Sequence, residues 1–138
     1  MVDEDLKAKM IEKIENEDFG VEDIMDYMQL FAQICNEKDE IQEELNEDEY
    51  RNFIFHIYFT NGEGLTIKIE DGRVSILSGI QGEWNAMLKI SAENFAGLIT
   101  GKKSGQNLYM NQELEAHGGL PAMIKFQNII SLVLEELE

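Results

Sequence analysis

The sequence of 138 residues has few of the residues that define several common classes of protein. Its single cysteine, Cys35, cannot form an internal disulfide, and its two histidines belong to no His/Cys cluster with zinc spacing. Lys and Arg number 11 against 28 Asp and Glu, and a net charge of −17 repels nucleic-acid backbones and anionic membranes. No stretch approaches the ~20 apolar residues of a membrane span. The acidic N-terminus also lacks the apolar core of a signal peptide. These absences predict a cytoplasmic protein that binds no nucleic acid and does not insert stably into a membrane.

The acidic residues are concentrated in the first part of the chain. Residues 1–50 contain 18 Asp and Glu against 4 Lys. This pattern favours solvated helical faces, with a basic partner or adaptation to high salt as alternatives.

Apolar residues at three-four spacing predict an N-terminal helix over 3–16 and a second helix over 21–36, whose wide apolar face includes Cys35. The segment "EIQEELNEDEY" predicts a short, exposed helical piece. Further helices are predicted near 92–100, with Ser91 as its N-cap, and near 119–135, with a proline in its first turn.

Between these helices the apolar period changes to two, which predicts β-strands. Asp71-Gly72 is a hairpin signal, because glycine tolerates positive φ, and "NGEG" is a second turn. Turns this short predict a mostly antiparallel sheet. The strands are expected near 52–60, 65–70, 73–78, 85–90 and 108–117. The fold class is therefore α+β, with helices packed on one face of a mostly antiparallel sheet.

Catalytic motifs are not found. The "GKKS" stretch has Ala96 where a phosphate-binding loop needs its first glycine and Lys103 where it needs a hydroxyl, and it follows a helix rather than preceding one. His56 in mid-strand and His117 at a strand end are expected to be surface or edge residues. No calcium loop is present. A protein that is not an enzyme, with no metal or cofactor, is the prediction.

The last predicted helix is apolar around nearly its whole circumference, whereas one packed face needs a stripe of only about 100°. Its second side must be covered by a partner, a ligand or another part of the domain. The seven methionines add deformable apolar surface.

Six segments between Tyr50 and Val133 together match the pattern of a known family: "FIFHI", "LTIKIEDGRVSI", "NAMLKIS", "AENFAGLITGK", "SGQNLYMNQELEAHGG" and "LPAMIKFQNI". The most specific runs in them are "FAGLITGK" and "AMIKFQNI". Through these segments the sequence shows a resemblance to the sterol carrier protein type 2 family. It implies a five-stranded sheet and helices that enclose a hydrophobic tunnel. It also implies non-catalytic binding or transfer of a sterol, fatty acid or related lipid.

The resemblance, carried over by position, also predicts which side chains line the tunnel. They are Phe53, Phe55, Ile57, Phe95, Leu98, Ile99, Leu108, Met110, Met123, Phe126 and Ile130. The cavity is expected to fall within the ~300–1,000 Å³ typical of ligand pockets.

The sequence departs from the family where a basic stretch becomes Gln112-Glu113-Leu114-Glu115-Ala116. We therefore expect neutral lipids to bind better than acyl-CoA. Residues 1–20 are read as an added N-terminal helix and residues 21–138 as the lipid-binding domain.

Two other functions remain open at this point. One is a protein–protein interaction module that uses the acidic N-terminal helices and the apolar C-terminal helix, without a lipid, to form a homodimer or to bind a basic partner. The other is an accessory domain for an enzyme that acts on a lipid.

Overall fold

A computed structural model describes residues 2–138. It contains six α-helices and five strands along this described part of the chain. The helices are α1 (Glu4–Glu15), α2 (Ile24–Glu37), α3 (Asp39–Leu45), α4 (Ala92–Ile99), α5 (Gly105–Met110) and α6 (Leu120–Glu136). The strands are β1 (Asn52–Phe59), β2 (Gly64–Glu70), β3 (Arg73–Ser78), β4 (Ala86–Ile90) and β5 (Leu114–His117). A 3-10 turn over Val21–Asp23 precedes α2.

The five strands form one open sheet in the order β3-β2-β1-β4-β5. Three of its four strand pairs are antiparallel, and β1 and β4 are parallel. Asp71 and Gly72 join β2 to β3 with φ values of 51° and 79°, which is the left-handed geometry of a tight hairpin turn. The α+β class and the mostly antiparallel sheet are confirmed.

The parallel pair exists because residues 79–85 cross one face of the sheet before β4 begins. Gly79 and Gln81 in this segment bond to the Thr66 side chain, and Asn85 N–H donates to the Ile54 carbonyl at 2.9 Å. The chain therefore returns on the far side of β1 and runs alongside it.

The helices pack on the other face of the sheet. Phe55 of β1 lies 5.3 Å from Phe126 of α6, measured between ring centroids, and Phe59 lies 5.5 Å from Phe95 of α4. Phe31 of α2 is 6.5 Å from the same Phe126 ring. This face carries the core, as the alternation of apolar residues in β1 predicts.

The structure corrects the predicted last strand over 108–117. Its first part is the helix α5, in which Ser104 caps the first turn by accepting a hydrogen bond from Asn107 N–H. Gln112 then takes a φ of 61°, and the strand begins only at Leu114. The apolar stretch "NLYM" fits a strand by composition, but the serine cap starts a helix two residues before it.

His56 is also not a surface or edge residue. Its side chain is only 2% exposed, because the 79–85 segment covers it, and Nε2 lies 3.0 Å from the Gln81 carbonyl oxygen.

Candidate functional site

The helix face of the sheet meets α2, α3 and α6 around a small internal void. Its volume is about 10 Å³, and the exposed surface of its lining is wholly apolar. The lining residues are Phe31, Cys35, Leu45, Phe55, Ile67, Ile69, Val74, Phe126 and Ile129.

This volume corrects the expected cavity size. A void of about 10 Å³ has room for roughly one water molecule, and it is far smaller than the ~300–1,000 Å³ of ordinary ligand pockets. The space around Phe55 and Phe126 is therefore filled by side chains in this conformation, and the tunnel implied by the resemblance is not open there.

A row of aromatic rings runs from this void to Tyr50, which is itself buried. Ring centroids are 5.3 Å apart for Phe126 and Phe55, 4.8 Å for Phe55 and Phe53, and 5.2 Å for Phe53 and Tyr50. Phe53 is half-buried, whereas Phe55 is buried. Ring centroids at these separations are in contact, so the row is a continuous line of packed aromatic side chains.

Lys125 lies beside Tyr50, at the end of this row away from the void. Its ammonium group contacts the Glu44 and Glu47 carboxylates, the latter at 3.1 Å, and sits 5.0 Å from the Tyr50 ring centroid. Burial alone would lower the pKa of Lys125, but the hydrogen bonds to Glu44 and Glu47 raise it above its ordinary value. Lys125 is therefore a charged cation that joins α6 to the end of α3 and the turn after it.

The predicted residues of α4 lie in the packed core beside this site. Phe95, Leu98 and Ile99 are buried, and Ser91 caps the helix by accepting from Asn94 N–H. The Tyr27 hydroxyl of α2 donates to the Ile99 carbonyl at 2.8 Å. Burial raises the pKa of Tyr27, so this hydroxyl stays protonated and remains a donor.

The structure separates Met110 from the other predicted site residues. Met110 ends α5 and is 69% exposed, because the segment is a helix and not the strand that would have turned this side chain inward. Leu108, two residues before the helix end, is buried instead. Ile57 and Ile130 are buried in the core and Met123 is half-buried.

The sequence reasoning missed most of the residues around the void. Only Phe55 and Phe126 were named as site residues, while α2, α3, β2, β3 and a second residue of α6, Ile129, supply the others. The signals were present: three-four spacing puts Phe31 and Cys35 on the packed side of α2, and alternation puts Ile67 and Ile69 on the same side of β2.

The site offers little to acid–base or nucleophilic chemistry. Cys35 is buried, and burial raises the pKa of its thiol, so it behaves as a small apolar side chain. Within residues 2–138 no group of three or more His, Cys, Asp or Glu side chains could hold a metal ion. In the same part of the chain, no helix is both long and apolar enough to cross a bilayer.

The edge strand β5 carries negative charge on the outside of the molecule. Glu115 is exposed, with its carboxylate 2.6 Å from His117 Nε2 and 3.8 Å from Lys89 Nζ. The hydrogen bond from His117, together with the Lys89 charge, lowers the pKa of Glu115. Leu114 and Ala116, which alternate with it, pack against the core.

Residues 29–131 match the SCP-2 sterol transfer family. This match covers well over half of the chain, and it includes α3, the whole sheet and most of α6. The chain therefore belongs to the SCP-2 sterol transfer family. A sequence comparison with curated proteins finds no significant match.

Solved structures share the fold at low sequence identity. The sterol carrier protein domain 2 of Helicoverpa armigera has a TM-score of 0.65 at 17% identity, over 83% of this chain and 91% of that domain. The ubiquinone synthesis protein UbiJ-SCP2 has a TM-score of 0.63 at 14% identity, over 76% of this chain and 90% of the other. The sec-alkylsulfatase Pisa1 from Pseudomonas sp. has a TM-score of 0.53 at 9% identity, over 66% of this chain and 14% of that enzyme. Two chains that are covered almost completely and a part of a larger enzyme thus share this fold.

Proposed function

We propose that the protein binds or transfers a hydrophobic ligand, such as a sterol, a fatty acid or a related lipid, without chemistry of its own. The observation that carries this proposal is the match of residues 29–131 to the SCP-2 sterol transfer family, and the apolar side chains between the sheet and three helices are consistent with it. The free energy of an apolar ligand falls when the ligand moves from water into contact with such a lining. The ligand would occupy the space between the helix face and α2, α3 and α6 after side chains move apart.

The binding proposal is tested by native mass spectrometry of protein purified without detergent. A co-purified mass in the range of a lipid, released by organic solvent, is the expected result. A protein of bare mass that also fails to take up added palmitate or a sterol would contradict the proposal.

The charge on β5 gives the proposal a head-group preference. Because Glu113 and Glu115 are exposed and the whole chain is acidic, neutral lipids should bind better than acyl-CoA. The double variant Glu113→Lys/Glu115→Lys should improve acyl-CoA affinity roughly threefold to tenfold at low salt, with neutral ligands nearly unchanged. Salt should narrow the difference, since exposed charges are screened over about 10 Å at 0.1 M. Displacement titration of a fluorescent probe measures both affinities. If the wild type binds acyl-CoA more tightly than neutral lipids at low salt, the expected preference for neutral lipids is wrong.

A second candidate function is an interaction module without a lipid, and the filled interior favours it. Leu120 and Ile124 on α6 are 71% and 52% exposed, which leaves apolar surface available to a partner or a second copy. The same mass spectra separate the two functions, because this candidate predicts a ligand-free dimer. We propose a cytoplasmic location in either case, and α1 (Glu4–Glu15) as an addition to the lipid-binding domain.

A further inference from the structure

The helix α3 (Asp39–Leu45) is a short wall of the internal void that is held by few buried side chains. It contributes two buried side chains to the core, Ile41 and Leu45, whereas α2 contributes eight. Leu45 lines the void directly. Elements with few buried apolar contacts open locally at a lower free energy than the rest of a domain.

Negative charge also works against the closed position of α3. Residues 39–49 contain seven Asp and Glu and no Lys or Arg. Several of these acids lie three or four residues apart, where like charges on a helix repel one another. Lys125 neutralises two of them, Glu44 and Glu47, from the buried side.

The remaining polar contacts of α3 are few and partly exposed. The Gln42 side-chain amide donates to the Cys35 carbonyl at 2.7 Å and to the Gly72 carbonyl at 3.2 Å. Lys38, the residue just before the helix, pairs with Glu136 of α6 at 2.8 Å, and the Glu40 charge helps to raise its pKa. This pair links the start of α3 to α6, and the Lys125 contacts link the other end of α3, where Leu45 lies, to the same helix.

We propose that α3 is the movable wall of the ligand site and that Lys125 is the positioning residue that holds it closed. This inference rests on the proposed function. The apolar part of a ligand reaches the interior when the Leu45 side chain moves away from the core. On its way the ligand passes the row of Tyr50, Phe53 and Phe55 rings that begins beside Lys125. The void of about 10 Å³ is the closed form of the space that this movement enlarges.

The first test measures opening without any ligand. Lys125→Met keeps the unbranched stem and removes the charge. Lys89→Met is the matched control, since it also removes one lysine from an ion pair with a glutamate, on the edge of the sheet. Hydrogen exchange at the Gln42 and Asn46 amides, which bond to carbonyls one turn earlier, should be at least about tenfold faster in Lys125→Met. The control should exchange at the wild-type rate, and β1 amides should be unchanged in both.

The second test measures ligand access by stopped-flow fluorescence with N-phenyl-1-naphthylamine, an uncharged apolar probe. If only the open form admits the probe, its association rate constant rises with the population of that form. We expect about a tenfold increase for Lys125→Met, and no change for Lys89→Met.

The outcomes separate the two proposals. Probe uptake at equal rates in wild type and Lys125→Met, with equal exchange at α3, overturns the role of α3 and leaves lipid binding intact. No equilibrium uptake by the wild type overturns the proposed function, and the role of α3 with it. If Lys125→Met does not fold, Glu47→Gln, which leaves the Glu44 contact in place, should give a smaller increase in the same direction; an unchanged rate there overturns the proposal for α3.

Discussion

The two faces of the sheet are stabilised in different ways. On the helix face, Phe55 is flanked by Ile67 of β2 and Ala86 of β4, and all three are buried side chains that need no polar partner. On the other face, His56 is flanked by Thr66 and Met87, and a loop rather than a helix covers it. Thr66 is only 1% exposed, and its hydroxyl donates to the Gly79 carbonyl and accepts from Gln81 N–H.

The difference shows where each face tolerates change. The helix face depends on volume, because apolar side chains interact without preferred direction and can move apart to admit another apolar group. The loop face depends on particular hydrogen bonds, which lose most of their energy when atoms shift. A ligand site that must enlarge therefore belongs on the helix face.

The largest expected effect comes from removing volume on the helix face. Phe126→Ala should lower the free energy of unfolding by about 3–5 kcal/mol, since Phe126 packs on both Phe31 and Phe55. Ile124→Ala on the same helix is the control, because Ile124 is 52% exposed. It should change stability by less than about 0.5 kcal/mol. Urea unfolding measures both; similar losses for the two variants would mean that α6 does not pack as described.

The next effect comes from the loop face and depends on bonds rather than volume. Thr66→Val keeps the shape and leaves the Gly79 carbonyl and the Gln81 N–H without this partner, which should cost about 1–3 kcal/mol. Thr60→Val, at an exposed position, is the control. Amide exchange at Gln81 should become faster in Thr66→Val. Unchanged exchange there would show that the hydroxyl does not hold the loop.

A smaller effect tests the buried hydrogen bond within the helix layer. Tyr27→Phe removes the donor to the Ile99 carbonyl and should cost about 1 kcal/mol. Tyr109→Phe, at a residue that is 60% exposed, should leave stability unchanged. If both variants unfold at the same urea concentration, the contact of α2 with the end of α4 is apolar packing alone.

The smallest effect is a dependence on pH at the edge of the helix layer. Burial would raise the pKa of Asp23, but hydrogen bonds from Gly20 N–H and Lys13 lower it below the ordinary value. The contribution of the Asp23 carboxylate to the free energy of unfolding is therefore complete above the ordinary Asp pKa of about 3.9. It is lost as the pH falls through the lower pKa that Asp23 has in the folded protein. The gap in unfolding free energy between wild type and Asp23→Asn should be smaller than that of Tyr27→Phe at pH 7 and shrink further in acid. A gap that is constant from pH 7 to pH 2 would contradict this, and exposed Asp48→Asn is the control.

Much of this fold is readable from the sequence because its signals are local. The helix stripes, the Ser91 cap and the Asp71-Gly72 hairpin each depend on residues within a few positions, and each is present in the structure. The last strand was the exception. The apolar composition of "NLYM" favours a strand, but the segment is the helix α5. The Ser104 side chain stabilises the start of this helix by accepting a hydrogen bond from the Asn107 backbone N–H.

The sequence by itself determined the family, the alternating apolar face of β1 and the apolar character of α6, since these follow from residue type and spacing. Only the tertiary structure decided that β4 runs parallel to β1, that Met110 is exposed, that His56 is buried and that Phe31, Leu45 and Ile67 meet at one void. Each of these depends on contacts between residues far apart in the chain. Spacing along the sequence gives the side of an element on which a residue lies, but the path of the 79–85 loop and the packing of α3 set what that side meets.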